Sequence, residues 1–256
     1  THQPNTLEQL HDGASRAVRS ALMADGHLGY IMPVGGVTAY RETVSIAGVG
    51  FDIACGNAAI RTDIPASRLL PYRDELADLI QQTISFGIGR TNRADDAPVN
   101  DPLFDDPAWD AFPTDAQPLG IKAKARAQLG TVGSGNHYVD VFRDESDMVW
   151  VGVHFGSRGF GHGIASGFQS LCRGQRWGQG GAEVEGLVGL DTQMGDAYWS
   201  LMQLAGRYAY VGREWVARKV VQLLGGTEVE LVHNHHNFAW KERHDGEELV
   251  VVRKGA

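Results

Sequence analysis

Apolar and small residues at Leu10, Ala14, Ala17, Val18 and Leu22 recur at three- and four-residue steps. This spacing predicts a helix over Leu7 to Met23, with Asn5 or Thr6 as its cap. From Tyr30 to Val49 the pattern changes to alternation: Val34, Val37, Val44, Ile46 and Val49 are separated by turn glycines. Short strands are expected there, delivering Asp52 and Cys55 at a strand end. Pro65 to Ile84 returns to a helical period, with Leu69, Leu70, Leu76, Leu79 and Ile80 on one side and Pro71 in the first turn. Asp95 to Gln117 is rich in Asp and Pro and has no period, which predicts a solvated surface loop. Val139 to Val153 holds two apolar runs around an Arg143-to-Asp147 turn, a hairpin whose second strand, Met148 to Val153, leads into His154. A long helix is predicted over Met194 to Leu224, with Gly212 as the place for a kink and Gly225-Gly226 as its stop. Glu228 to Val232 and Leu249 to Arg253 read as strands flanking a cluster of histidines. No repeat or linker is seen, so the organisation is one α/β (α+β) domain over residues 1–256, with mixed sheets and its site residues at strand ends.

Composition narrows the function. The 256 residues are 43% hydrophobic, enough for a sizeable core, and the formal net charge of −8 argues against a nonspecific nucleic-acid coat. Basic residues are sparse, the main group being Arg213, Arg218 and Lys219 on the long helix. The two cysteines, Cys55 and Cys172, do not form a secretory disulfide pattern, which favours a reducing cytoplasm. No apolar run approaches the roughly 18 residues of a membrane span, and Thr1 to Leu22 is unlike a signal peptide.

The candidate chemistry starts at Gly48-Val-Gly-Phe-Asp-Ile-Ala-Cys-Gly56, where Asp52 and Cys55 stand three residues apart in a glycine-framed turn. A soft thiolate beside a hard carboxylate suits a borderline divalent ion, and a thiolate can bridge two. Histidines to complete such a set occur in Gly133-Ser-Gly-Asn-His137, in His154-Phe-Gly-Ser-Arg-Gly-Phe-Gly-His162 and in His233-Asn-His-His-Asn237. A single histidine is more often a satisfied surface or core residue than a ligand. The set carries the argument: Asp52, Cys55, His137, His154 and His236 are enough for two ions sharing the sulfur. Adjacent ions clamp the oxygens of a phosphoryl centre, so phosphate chemistry follows. Ser157 and Arg158 are then candidates for binding phosphate, and Asn136 and Asn237 for a nucleotide. Arg158 has a plain salt bridge as its alternative role. His162, His233 and His235 are expected to orient ligands or lie at the surface.

These segments resemble the RtcB family of RNA ligases. The first is similar to the family's Gly-Val-Gly-(Phe/Val)-Asp-Ile-(Asn/Gly)-Cys-Gly. Leu129-Gly-Thr-Val-Gly-Ser-Gly-Asn-His137 and His154-Phe-Gly-Ser-Arg-Gly159 look like its next two motifs. Met23-Ala-Asp-Gly-His-Leu-Gly29 with Gly35-Gly36-Val37, and His236-Asn237 with Arg253-Lys-Gly-Ala256, extend the likeness from about Met23 to the last residue. The resemblance implies an RtcB-like catalytic domain needing two manganese ions and GTP. It would join RNA 3′-phosphate or 2′,3′-cyclic phosphate ends to 5′-hydroxyl ends, in tRNA splicing or RNA repair. It implies Cys55 as the bridging ligand, Asp52 and His137 on one ion, His154 and His236 on the other, and Asn136, Asp140 and Asn237 at the nucleotide. Asp140 departs from the family's usual Glu.

The family's next motif, His-Gly-Ala-Gly-Arg, whose histidine carries GMP, would follow Ala256. The expectation is a longer polypeptide; the alternative is a reduced homologue that holds metals without ligating. Two further readings are a metal-dependent phosphodiesterase or cyclic-phosphate hydrolase, which needs only the ions and a water, and a non-catalytic metal-holding RNA-binding homologue, against which the charge of −8 weighs.

Overall fold

A computed structural model describes residues 2–116 and 120–256. Gln117, the end of the expected Asp95-to-Gln117 loop, lies outside the described residues, as does Thr1. The fold is a single mixed α+β domain. Its strands are β1 (Arg19–His27), β2 (Val34–Tyr40), β3 (Thr43–Ser45), β4 (Gly56–Pro65), β5 (Tyr138–Arg143), β6 (Met148–His154), β7 (Leu187–Gly189), β8 (Glu228–His235), β9 (Asn237–His244) and β10 (Glu247–Lys254). Among the described residues they form two four-stranded antiparallel sheets, ordered β1-β2-β10-β9 and β5-β6-β4-β8, and a β3-β7 ribbon. The helices are α1 (Pro4–Gly13), α2 (Ile46–Val49), α3 (Ala66–Leu69), α4 (Arg73–Thr83), α5 (Ile121–Gln128), α6 (Arg158–Cys172) and α7 (Gln193–Leu223).

The long helix organises the core. Thr192 caps α7, its hydroxyl accepting from the Gly195 N–H at 3.0 Å. Beyond its last turn the chain reverses at Gly225, whose φ of 73° is a left-handed conformation that glycine takes without penalty. Tyr198, Leu201, Leu204, Ala205 and Tyr208 join one apolar cluster with α6, while Val216, Val220 and Val221 join a second against β4 and β6. The apolar stripe is therefore shared between two cores, and α7 continues without a break through Gly212.

Three expectations need correction. The helix predicted over Leu7 to Met23 ends at Gly13, and Arg19–His27 pairs with β2 as an exposed edge strand. Ala17, Val18 and Leu22 share helical spacing, but Ala17 closes a turn onto the Ala14 carbonyl, the Val18 N–H donates to the Ala39 carbonyl and Leu22 pairs with Gly36 of β2. Asp52 and Cys55 follow α2 and precede β4, so they enter a strand instead of leaving one. The Asp- and Pro-rich segment is no simple surface loop. It holds 3-10 turns at Pro102–Asp105 and Pro107–Ala111, each opened by an aspartate accepting a backbone N–H. These turns insert Phe104, Trp109 and Phe112 into the core, with Trp109 stacked on Phe160 at 4.7 Å. Pro65 to Ile84 is helical but divided: α3, a 3-10 turn containing Pro71, then α4. The β5-β6 hairpin matches its prediction closely.

Candidate metal centre

The sheet ordered β5-β6-β4-β8 gathers the candidate ligands at one end. Because neighbouring strands are antiparallel, the starts of β5 and β4 lie beside the ends of β6 and β8. Tyr138 is paired with His154, Asn57 with His154, and Gly56 with His235. His137 precedes β5, His154 ends β6, Cys55 precedes β4, and His236 sits between β8 and β9.

Asp52 and Cys55 converge through a tight turn, the Cys55 N–H donating to the Asp52 carbonyl at 3.0 Å across Ala54, whose φ is +60°. The strained alanine is held by its N–H bond to the Asn237 carbonyl at 2.7 Å. The Cys55 Sγ lies 3.4 Å from His154 Nε2 and 3.6 Å from His137 Nε2, and His137 Nε2 is 2.8 Å from Asp52 Oδ2. Two three-residue groups result, Cys55-His154-His236 and Asp52-Cys55-His137, each with ligand atoms within 4.8 Å of one another and both containing the thiol. Metal bonds of about 2.0–2.3 Å fit ligand atoms at such separations. One sulfur, one carboxylate and three imidazoles make a donor set for borderline divalent ions.

The electrostatics point the same way. Burial, reinforced by the neighbouring His236 and His137, lowers His154 to about pKa 4, so its imidazole is neutral and able to ligate. Burial also lowers His236. Burial followed by the Asp52 charge pushes the Cys55 thiol far up. Burial works to raise Asp52 as well, but the hydrogen bond and charge of His137 win and hold the carboxyl below its ordinary range. A cation is what turns this thiol into a thiolate.

The surrounding residues hold the rings in place. His154 Nδ1 meets Asn57 Oδ1 at 2.7 Å, an N–H donated to the amide oxygen that leaves Nε2 with its lone pair facing the sulfur. Tyr138 stacks on the same ring at 5.3 Å. Neither Asn57 nor Tyr138 is apparent from sequence alone, although each directly follows one of the glycine-marked motifs. Arg158 is half-buried with its guanidinium against Gly133, and its Nη1 is 3.0 Å from His137 Nδ1. Burial lowers its pKa. The Ser157 hydroxyl donates to the Ile53 carbonyl at 2.5 Å. Both candidate phosphate binders are thus engaged with the ligand loops.

Among the candidate nucleotide residues, Asn136 and Asp140 are exposed, Asp140 on β5 beside a cavity of about 890 Å³ bounded by α4 and His137. Asn237 donates to the Asp52 carbonyl at 3.3 Å and accepts from the Gly255 N–H at 2.7 Å, tying the turn to the end of β10. His162 is exposed and stacks on Phe51 at 5.3 Å. His233 and His235 turn inward to Arg213, which is wholly buried, while Arg218 pairs with Glu214 and Glu228 and Lys219 with Asp96. Arg213 therefore stands apart from the surface cations beside it in sequence.

Fold and site together define a mixed α+β protein that presents two thiol-sharing groups of Asp, Cys and His side chains, able to hold metal, at the end of an antiparallel sheet. The profile described as tRNA-splicing ligase RtcB matches residues 11–256, and the chain belongs to the RtcB family. It is 32% identical over 262 residues to the RNA-splicing ligase RtcB of Escherichia coli (strain K12), covering 92% of this chain and 63% of that protein. It is 30% identical over 313 residues to the tRNA-splicing ligase RtcB of Thermococcus kodakarensis, covering 99% and 65% respectively. A third relative, the tRNA-splicing ligase RtcB of Archaeoglobus fulgidus, is 30% identical over 295 residues, covering 93% and 61%. The chain thus spans somewhat under two thirds of the length of these relatives.

Proposed function

We propose that this chain forms the metal-binding part of a GTP- and manganese-dependent RNA ligase. Its substrates would be RNA with 3′-phosphate or 2′,3′-cyclic phosphate ends and RNA with 5′-hydroxyl ends, in cytoplasmic tRNA splicing or RNA repair. The observation that carries this reading is the pair of ligand groups meeting at the Cys55 sulfur, in a chain whose relatives are named RNA-splicing ligases. In this reading Asp52 and His137 hold one ion, His154 and His236 the other, and Cys55 both. Manganese, when bound, supplies Lewis-acid stabilisation of charge on phosphoryl oxygens. Asn57 and Arg158 orient the His154 and His137 rings, and Asn136, Asp140 and Asn237 contact the nucleotide. Ser157 shapes the turn below an anion. In this reading GMP is carried by the histidine of the family's His-Gly-Ala-Gly-Arg motif, because a phosphoramidate needs an imidazole free of metal and His137, His154 and His236 are committed as ligands.

The test uses radioactive GTP with manganese. The expected result is an acid-labile covalent guanylate, and sealing of 3′-phosphate to 5′-hydroxyl RNA, with a chain extended through the His-Gly-Ala-Gly-Arg motif, and neither with residues 1–256 alone. Labelling of residues 1–256 would move the nucleophile to His162, His233 or His235. Opening of 2′,3′-cyclic phosphate ends by water to phosphate monoesters, without GTP and without sealing, would favour the hydrolase instead.

A further inference from the structure

Arg213 is completely buried, and among the described residues no carboxylate lies within ion-pairing distance of it. Placing a guanidinium out of water is costly unless every donor is satisfied, and an arginine has five N–H groups in a rigid planar fork. All five find acceptors. Nε donates to His233 Nε2 at 2.8 Å, Nη1 to the carbonyls of Ala54 at 2.8 Å and Phe155 at 2.5 Å, and Nη2 to His235 Nδ1 at 2.9 Å and the Asn234 carbonyl at 3.4 Å. The Tyr210 ring lies 5.4 Å from the guanidinium carbon.

The identity of those carbonyls is informative. Ala54 immediately precedes Cys55, Phe155 immediately follows His154, and Asn234 and His235 lead into His236. One cation therefore joins the three separate backbone segments that carry the Cys55-His154-His236 group. Of the other group it touches only the segment of Asp52 and Cys55; His137, on the start of β5, is held by Arg158. A residue that merely filled the core of α7 would need no charge, and an ion-pair role would need a carboxylate.

We infer that Arg213 is a positioning residue for the metal centre: its planar fork fixes the spacing of the Cys55, His154 and His236 segments and so builds one of the two ion sites selectively. The inference rests on the metal-centre reading above and adds a division of labour within it. Lysine at this position keeps the charge but has three donors at a single point, so it cannot serve acceptors on three segments in one plane.

The experiment is a cobalt(II) titration followed by the sulfur-to-cobalt charge-transfer band. Asp52→Ala isolates the Cys55-His154-His236 group, and His236→Ala isolates the other. Arg213→Lys is then introduced into each background. Cobalt affinity should fall tenfold or more in the Asp52→Ala background, the range seen when supporting partners of metal ligands are removed, and less than threefold in the His236→Ala background. Val220→Ala, buried on the same helix away from the ligands, provides a comparator of lowered stability and should leave both affinities unchanged. Equal losses in the two backgrounds, or no loss in either, would overturn the inference. Should Arg213→Lys fail to fold, Arg213→Ala is titrated with added methylguanidinium, and cobalt binding that does not return with the added cation also overturns it. Failure of the unaltered protein to bind cobalt at all would instead remove the metal-centre reading.

Discussion

Gly156→Ala offers a stringent test of the Asp52-Cys55-His137 group, because the structure separates its effect on metal from its effect on folding. Gly156 lies two residues beyond His154, and a methyl group built on it would sit 2.7 Å from the Asp52 carboxyl carbon and 2.9 Å from Oδ2, with Oδ1 closer still. Carbon contacts settle at about 3.5–4.0 Å, so the carboxylate must retreat by about 1 Å. That is cheap for the fold: the obstacle is the tip of a side chain, and Gly156 does not have the left-handed φ that would strain an alanine. Reduced freedom of the unfolded chain even favours alanine by about 0.4–1 kcal/mol. It is not cheap for a metal bond of about 2.0–2.3 Å, which a displacement of that size breaks. The expected outcome is a melting temperature near that of the parent protein and a fall of about 10- to 100-fold in affinity for one of two ions, measured by calorimetric titration with manganese. Unchanged affinity for both ions in a folded Gly156→Ala protein would refute the placement of Asp52 as a ligand.

Cys55→Ala should lose more metal than His162→Ala in elemental analysis, since the sulfur belongs to both groups whereas His162 belongs to neither and is engaged with Phe51 and Ser166; equal metal contents would show the ligands to be misassigned. The metal-free protein should lose stability as pH falls. Burial first, with nearby charges, keeps His154, His233 and His235 neutral in the fold down to about pKa 4, 2 and 3, against an ordinary value of 6.5. Unfolding below pH 6.5 therefore takes up protons, and each of these histidines withdraws about 1.4 kcal/mol by pH 5.5, stability that is fully present above pH 7. Urea melts in chelator at pH 7.5 and 5.5 check this, and identical unfolding free energies would contradict it. Trp109→Ala should destabilise by about 3–5 kcal/mol through its buried stack on Phe160; a change under 1 kcal/mol in a denaturant melt would return the Asp- and Pro-rich segment to the surface.

The parts of this molecule that could be read from its residues are those with a local signal. The α7 stripe and the β5-β6 hairpin follow from periodicity, and the five candidate ligands follow from glycine- and asparagine-marked motifs. What was hidden depends on partners distant in sequence. Val18 and Leu22 fit a helix until β2 supplies their cross-strand partners Ala39 and Gly36. Phe104, Trp109 and Phe112 are spaced among prolines and aspartates with no period, because 3-10 turns and not a regular element carry them inward. The start of α6 was masked by glycines at 159, 161 and 163, which lower helix propensity, although Gly159 and Gly161 leave room for Gln128 and Ser157. Arg213 resembled its basic neighbours because three of its five acceptors are backbone carbonyls, which no side-chain pattern records, and the other two are histidines some twenty residues away.

The gathering of the site at one end of the β5-β6-β4-β8 sheet has a consequence for the order in which the protein matures. Asp52 and Cys55 are close together along the chain and His137 and His154 flank the β5-β6 hairpin, but bringing these two pieces to each other and to His236 closes long loops between β4 and both β6 and β8. Such nonlocal contacts form late, so neither three-residue group is complete until β4 has paired with β6 and β8. A metal held by these groups would load as a final inspection step, not as a seed for folding, and its presence would certify that these stretches of chain have found their register.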